Sequence, residues 1–164
     1  MSHEQALKSL DPEEYETRPL QRSDFDTGFL ELLAKLTMVG EVDRALFERT
    51  YSEMFDDENS PYNVAVVRHR SSGKIVATAA MFVERKFIHE CGKVGHIEDV
   101  VVHDEFRGKS LGVHIVNYAL QIAKQQGCYK AILDCREGLE HFYNKSQLEK
   151  KGIQMAVYFD AAGL

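Results

Sequence analysis

Four short segments of this chain place reactive or ligand-holding residue types close together: Glu98-Asp99, Arg107-Gly-Lys-Ser-Leu-Gly112, Lys130 with Asp134-Cys135, and Phe142-Tyr-Asn-Lys145. The second is the most telling. Its glycines at 108 and 112 follow the β-rich run Ile97-Glu-Asp-Val-Val-Val102, and an apolar repeat starts inside it: Leu111, Ile115, Tyr118, Ala119, Ile122, Ala123. That spacing predicts an amphipathic helix, with His114, Asn117, Gln121, Lys124 and Gln125 on its wet side. A strand-loop-helix junction of this kind aims several backbone N–H groups and a positive dipole end at one point, as a pyrophosphate requires. An ordinary strand-to-helix turn would read alike here, so the neighbouring segments must decide. Two nucleotide motifs are excluded outright. The P-loop pattern needs a glycine at 103, where the chain has His103, and no G-x-G-x-x-G can be read through 107–112.

The acids and the tyrosine suggest acid–base work. Adjacent residues of a strand point to opposite faces, so at most one of Glu98 and Asp99 is expected to face a given cleft. Asp134 ends an expected strand, where clefts form in open α/β sheets, although a turn or helix cap would use the same residue. Lys130 and Asp134 share strand parity and would project to one face ~13 Å apart. Tyr143 beside Phe142 on a short amphipathic helix is either a packed ring or a hydroxyl near the chemistry. Cys135 adjoins Asp134 but has no histidine placed to activate it, which favours direct attack over an acyl-cysteine route. The histidines show no metal-ligand spacing, nor do Cys91, Cys128 and Cys135, so no metal is expected.

These residues need elements to hold them. Ser23 and Asp26 read as a capping-box variant opening a helix to about Lys35, with Phe25, Phe29, Leu32, Leu33 and Leu36 on its apolar side. A second helix is expected over 42–54, burying Ala45, Leu46 and Tyr51. Strands at 62–69 and 74–83 form a hairpin around Ser71-Ser-Gly73, and strands at 85–91 and 95–103 another around Gly92-Lys93. After the long helix come a strand at 129–135, a helix at 138–150 and a last strand at 153–159. Helices first, then a meander, then a βαβ-like half make a mixed α/β sheet flanked by helices. Residues 1–16 read as a loosely held leader and 17–164 as one domain.

Composition narrows the function further. The chain has 164 residues, 44% hydrophobic and 28% charged, which suits one globular core. A net charge of −6 argues against nucleic-acid binding. No apolar run approaches the ~20 residues of a membrane span, and the first residues lack signal-peptide character. Three cysteines without pairing suit a reducing compartment, so cytoplasm is the expected location.

The hexapeptide 107–112 resembles the [QR]-x-x-G-x-[GA] acetyl-CoA loop of the GNAT superfamily of N-acetyltransferases. Glu84-Arg-Lys-Phe-Ile-His-Glu90, Gly95-His-Ile-Glu-Asp-Val-Val-Val102, Gly127-Cys-Tyr-Lys-Ala-Ile-Leu-Asp-Cys135 and Phe142-Tyr-Asn-Lys145 narrow it to the glucosamine-6-phosphate N-acetyltransferase family, in order and spacing, from about Arg18 to about Phe159. The resemblance implies a mostly antiparallel mixed sheet with acetyl-CoA in a cleft between central strands. It implies cofactor contacts from the backbone of Val100, Val101 and Val102, from Arg107, Gly108, Lys109, Ser110, Leu111, Gly112 and Val113 around the pyrophosphate, and from Tyr143, Asn144 and Lys145. For the amino sugar it implies Glu98, Asp99 and Asp134 near the amine, with Asp134 and Tyr143 catalytic. Lys86, His89 and Lys130, with the Thr37 hydroxyl, are the candidates for the sugar phosphate, and Phe87, Ile88 and Tyr158 are further expected substrate contacts. It further implies a homodimer whose last strand helps build the neighbour's site.

Three places depart from the family pattern. Ser110 stands where glycine is usual, and is expected to be tolerated if already helical. The segment 146–152 lacks the usual Lys-x-Gly-Phe turn. Tyr158 replaces an arginine thought to bind the sugar phosphate, which removes a charge. An N-acetyltransferase for another small amine, and a non-catalytic CoA-binding dimerisation module, are the two alternatives.

Overall fold

The computed structural model describes residues 10–159. One sheet runs in chain order: β1 (Tyr15–Pro19), β2 (Tyr62–His69), β3 (Ile75–Arg85), β4 (Lys93–Val102) and β5 (Cys128–Ile132). The first four strands are antiparallel, and β5 joins β4 in parallel. A parallel joint needs a crossover, and α4 (Leu111–Gln125) supplies it. The architecture is thus the expected mixed, mostly antiparallel sheet flanked by helices.

Both faces of the sheet are covered, which explains the near-continuous apolar runs of β2 and β3. On one face α4 buries Leu111, Ile115, Ala119 and Ala123 against Ala65, Val67, Ala77, Ala79, Met81 and Ile97. On the other, Phe29 and Leu32 of α1 (Phe29–Leu33) and Phe47 of α2 (Arg44–Phe55) pack on Val64, Val66, Ile75 and Val101. Gly95 lets α4 approach: a Cβ there would come within 3.0 Å of the Ala123 Cβ.

Several boundaries differ from expectation, each for a local reason. The helix expected to run to about Lys35 is broken at Gly28, which is left-handed at φ 89°, into a 3-10 segment Arg22–Thr27 and α1. Asp24, not Asp26, closes the start of that segment by accepting the Gln21 N–H at 2.8 Å. Its carboxylate is also held by Arg18 of β1 through two bonds of 2.7 Å, and Asp24 is fully buried. In α2 the buried residue is Phe47; Ala45 is exposed and Leu46 and Tyr51 are half-buried. Residues 85–91 do not form a strand of their own. β3 runs on to Arg85, and a single turn follows, α3 (Ile88–Cys91), in which His89, Glu90 and Cys91 are left-handed.

Later elements are shorter than predicted. β5 stops at Ile132, so Asp134 lies beyond the strand and the parity argument linking it to Lys130 does not apply. The helix expected over 138–150 is confined to α5 (Glu140–Asn144), between positive-φ residues Gly138 and Gln147. Residues 153–159 join no ladder, and Ile153, Met155, Tyr158 and Phe159 are more than four-fifths exposed. At the other end, β1 begins inside the expected leader at Tyr15, a buried ring, while residues 1–9 lie outside the described residues.

Candidate active site

The site begins where two strands part. β5 pairs with β4 only along Lys93, Val94, Gly95 and His96. From Ile97 to Val102 no strand lies along that edge of β4 among the described residues, which leaves its backbone groups open to an extended ligand. A bulge deepens the opening. Ala80 faces Glu98 and Thr78 faces Val101, so Asp99 and Val100 together oppose one residue, and Asp99 is left-handed at φ 51°. The bulge breaks the alternation that placed Glu98 and Asp99 on opposite faces. Burial pushes the Glu98 carboxyl up, and the charges of Asp134 and Asp99 push the same way. Glu98 is thus within electrostatic reach of both Asp134 and Asp99.

A cleft of about 850 Å³ opens at this split, large enough for a sizeable organic ligand. Val100, Val101, Val102, Arg107, Gly108, Ser110, Leu111, Gly112, Val113, Tyr143 and Lys145 all line it. Two members of the expected cofactor set do not. Asn144 is exposed on α5, and Lys109 turns its ammonium to β1, 3.4 Å from the Tyr15 hydroxyl. Arg107 does face the cleft and is paired with Asp104 at 2.8 Å.

The loop owes its shape to two left-handed residues, Gly108 at φ 79° and Ser110 at φ 66°. Ser110 precedes the first turn of α4 and is left-handed, so the condition under which its Cβ would cost nothing is not met. A Cβ in this region is unfavourable by about 1 kcal/mol. Ser110→Gly should therefore raise folding stability by about that amount, as denaturant unfolding would show, without weakening cofactor affinity. Gly112 is needed for a different reason: a Cβ there would sit 2.9 Å from the Phe142 ring of α5. Gly112→Ala should displace α5 and cost about 1–3 kcal/mol, with lower catalytic efficiency because Tyr143 moves with Phe142. An unchanged melting temperature and kcat/KM would show that α5 yields freely.

On α5, Tyr143 is half-buried in the cleft wall. Burial raises its hydroxyl pKa, as does nearby Cys135, so it stays protonated at neutral pH. Asp134 is exposed and accepts a 3.1 Å bond from Gln154. Asp134, Glu98 and Asp99 are not part of the cleft lining, and the remaining sugar-side candidates also stand outside it. Lys86 is tied to Glu84 at 2.5 Å, His89 stacks on Tyr129 at 4.3 Å, and Lys130 lies over that same ring. Phe87, Ile88, Thr37 and Tyr158 are exposed.

Five lining residues were not singled out from the sequence as ligand contacts: Phe106, His114, Asn117, Leu139 and Phe142. His114 and Asn117 had been placed on the wet side of α4. The signal that would have found them is their helical spacing from Ser110, which carries one stripe of α4 into the cleft. His114 is part-buried, its Nε2 2.8 Å from the Thr17 hydroxyl, and burial lowers its pKa so that it stays neutral. Its Nδ1 has no partner among the described residues.

The same arrangement occurs in known proteins. Residues 20–147 match the model of the acetyltransferase (GNAT) family. Glucosamine 6-phosphate N-acetyltransferase of Arabidopsis thaliana is 43% identical over 90% of this chain and 99% of its own length. The chain belongs to the glucosamine 6-phosphate N-acetyltransferases, within the GNAT family. A second member of that family, from Dictyostelium discoideum, is 43% identical over 86% of this chain and 88% of its own. The crystal structure of the Arabidopsis glucosamine-6-phosphate N-acetyltransferase superposes with a TM-score of 0.86, covering 89% of this chain and 99% of that one. GNAT membership makes the protein an acyltransferase, as the sequence suggested.

Proposed function

We propose that this protein transfers the acetyl group of acetyl-CoA to the amine of D-glucosamine 6-phosphate, releasing CoA and N-acetyl-D-glucosamine 6-phosphate, a precursor of UDP-N-acetylglucosamine. The observation that carries this reading is the free β4 edge running into the left-handed loop at the amino end of α4, in a chain 43% identical to a glucosamine 6-phosphate N-acetyltransferase. Pantetheine has two amides spaced to pair with an extended chain, so Val100, Val101 and Val102 suit that arm. The N–H groups at 108–112 suit the diphosphate, with Arg107 adding charge once released from Asp104.

The acids and the tyrosine then divide the proton work. The sugar nitrogen must be neutral to attack the thioester carbonyl, and it carries an extra proton once the C–N bond has formed. We assign that proton to Asp134 or Glu98; both are exposed and outside the cleft lining, and Glu98, its pKa raised by partial burial and by the charges of Asp134 and Asp99, is the better matched acceptor. As the C–S bond breaks, the departing sulfur needs a proton, and the Tyr143 hydroxyl holds one. No metal is required.

We further propose a cytoplasmic homodimer. Phe87, Ile153, Met155 and Tyr158 are each more than 90% exposed, apolar side chains expected to be covered by a second copy. Lys86 and His89 flank Phe87 in sequence and stand outside the cleft lining, which suits a phosphate pocket completed across the interface. Among the described residues no helix is long and apolar enough to cross a membrane.

The test is a thiol-release assay with acetyl-CoA, comparing glucosamine 6-phosphate with glucosamine, a polyamine and a lysine peptide. Strong preference for the phosphosugar is expected. Preference for another amine would support the alternative that Tyr158, uncharged, keeps alive; silence with every amine despite CoA binding would make the protein a binding module.

A further inference from the structure

Lys109 lies between the two left-handed residues of the loop, yet its side chain leaves the cleft. Its ammonium is 3.4 Å from the Tyr15 hydroxyl, 3.5 Å from a Glu14 carboxylate oxygen and 5.2 Å above the Phe106 ring. The Tyr15 hydroxyl in turn donates to Glu14 at 2.7 Å, and the Tyr15 ring is buried against Phe106 and His69. The far end of this tether is therefore fixed in the core. A loop with Gly108 and Ser110 both at positive φ has little regular structure of its own to hold it, and α4 begins only at Leu111.

Resting on the acetyl-CoA reading above, we propose that Lys109 is a positioning residue, anchoring the diphosphate loop to β1 through Tyr15 and Glu14 rather than contacting the cofactor's phosphates. A lysine in a phosphate-binding loop is ordinarily read as a ligand for the anion. Here its charge is already spent on Glu14 and its direction is set by a buried ring. The loop's backbone N–H groups, held at the right place, do the binding; a small displacement of such a group costs much of its effect.

The experiment measures steady-state kinetics and CoA affinity at two salt concentrations for Lys109→Met, Tyr15→Phe, the double variant and Lys109→Arg, with melting temperatures as a control on folding. Lys109→Met should raise the KM for acetyl-CoA by about 5–10-fold, with kcat and the amino-sugar KM within about 2-fold. Tyr15→Phe should shift the same KM in the same direction. The double variant should be no worse than Lys109→Met alone, because both remove one tether. Lys109→Arg should retain most of the affinity. Additive effects with a flatter salt dependence in Lys109→Met alone would make Lys109 a direct phosphate ligand and overturn the proposal, as would an unchanged KM in every variant. Absence of CoA binding by the unaltered protein would remove the cofactor reading itself, a result distinguishable by the first titration.

Discussion

Arg18→Met is expected to lower folding stability by about 3–5 kcal/mol, the cost of stranding a buried carboxylate. Asp24 is 0% exposed and receives four hydrogen bonds: two from Arg18, one from the Gln21 N–H and one from the Thr27 hydroxyl at 3.2 Å. Burial alone would favour the neutral acid. The bonds from Arg18, Gln21 and Thr27 outweigh it and hold the carboxyl below the usual range. Removing the guanidinium leaves burial with weaker opposition. The pair also ties β1 to the segment that leads into α1, so its loss loosens one edge of the sheet. A fall in melting temperature of about 10 °C or more follows.

The pH dependence gives this prediction a second readout. A carboxyl whose folded pKa is depressed adds stability above its unfolded pKa, about 3.9, and that stability is lost as pH falls through the folded value. The unaltered protein should therefore hold this contribution at neutral pH and lose it below about pH 4. In Arg18→Met the decrement should shrink in acid, where Asp24 is protonated with or without its partner. Thermal unfolding from pH 7 to pH 3 would show this. A constant decrement across that range would mean that the arginine contributes packing rather than charge.

Tyr143→Phe should reduce kcat by about 100-fold, at the lower end of what a positioned proton donor supplies, since a thiolate is already a good leaving group. The KM for acetyl-CoA should change little, because the ring that lines the cleft is retained. Burial raises the hydroxyl pKa and Cys135 adds to it, so the proton is held at neutral pH and above. No loss of activity at mildly alkaline pH should come from this group. A loss smaller than about 3-fold would show that solvent protonates the sulfur and that Tyr143 only shapes the cleft.

The parts of this protein legible from sequence were those fixed by local rules. Helical spacing from Leu111 and the glycine-punctuated loop located the strand-loop-helix junction, and the turn at Ser71-Ser-Gly73 located the β2–β3 hairpin. What escaped depended on neighbours in space. The bulge at Asp99 arises from pairing with β3, so no count along β4 could reveal it, nor that Glu98 feels the charge of Asp134. Lys109 was read as a phosphate contact because its charge is visible in sequence, whereas its partner Tyr15 is 94 residues away. Sequence leaves open whether Ser110 lies inside the helix; its positive φ is set by the turn that closes the loop. The apolar alternation in 153–159 predicted a strand, yet a strand forms only where another edge accepts it, and among the described residues none does.

The most direct measurement is a crystal structure of the protein soaked with CoA. The account predicts electron density for pantetheine along the free edge of β4 at Val100, Val101 and Val102, with the diphosphate on the N–H groups of 108–112 at the head of α4. Density for the coenzyme anywhere else, with this cleft empty, would contradict it.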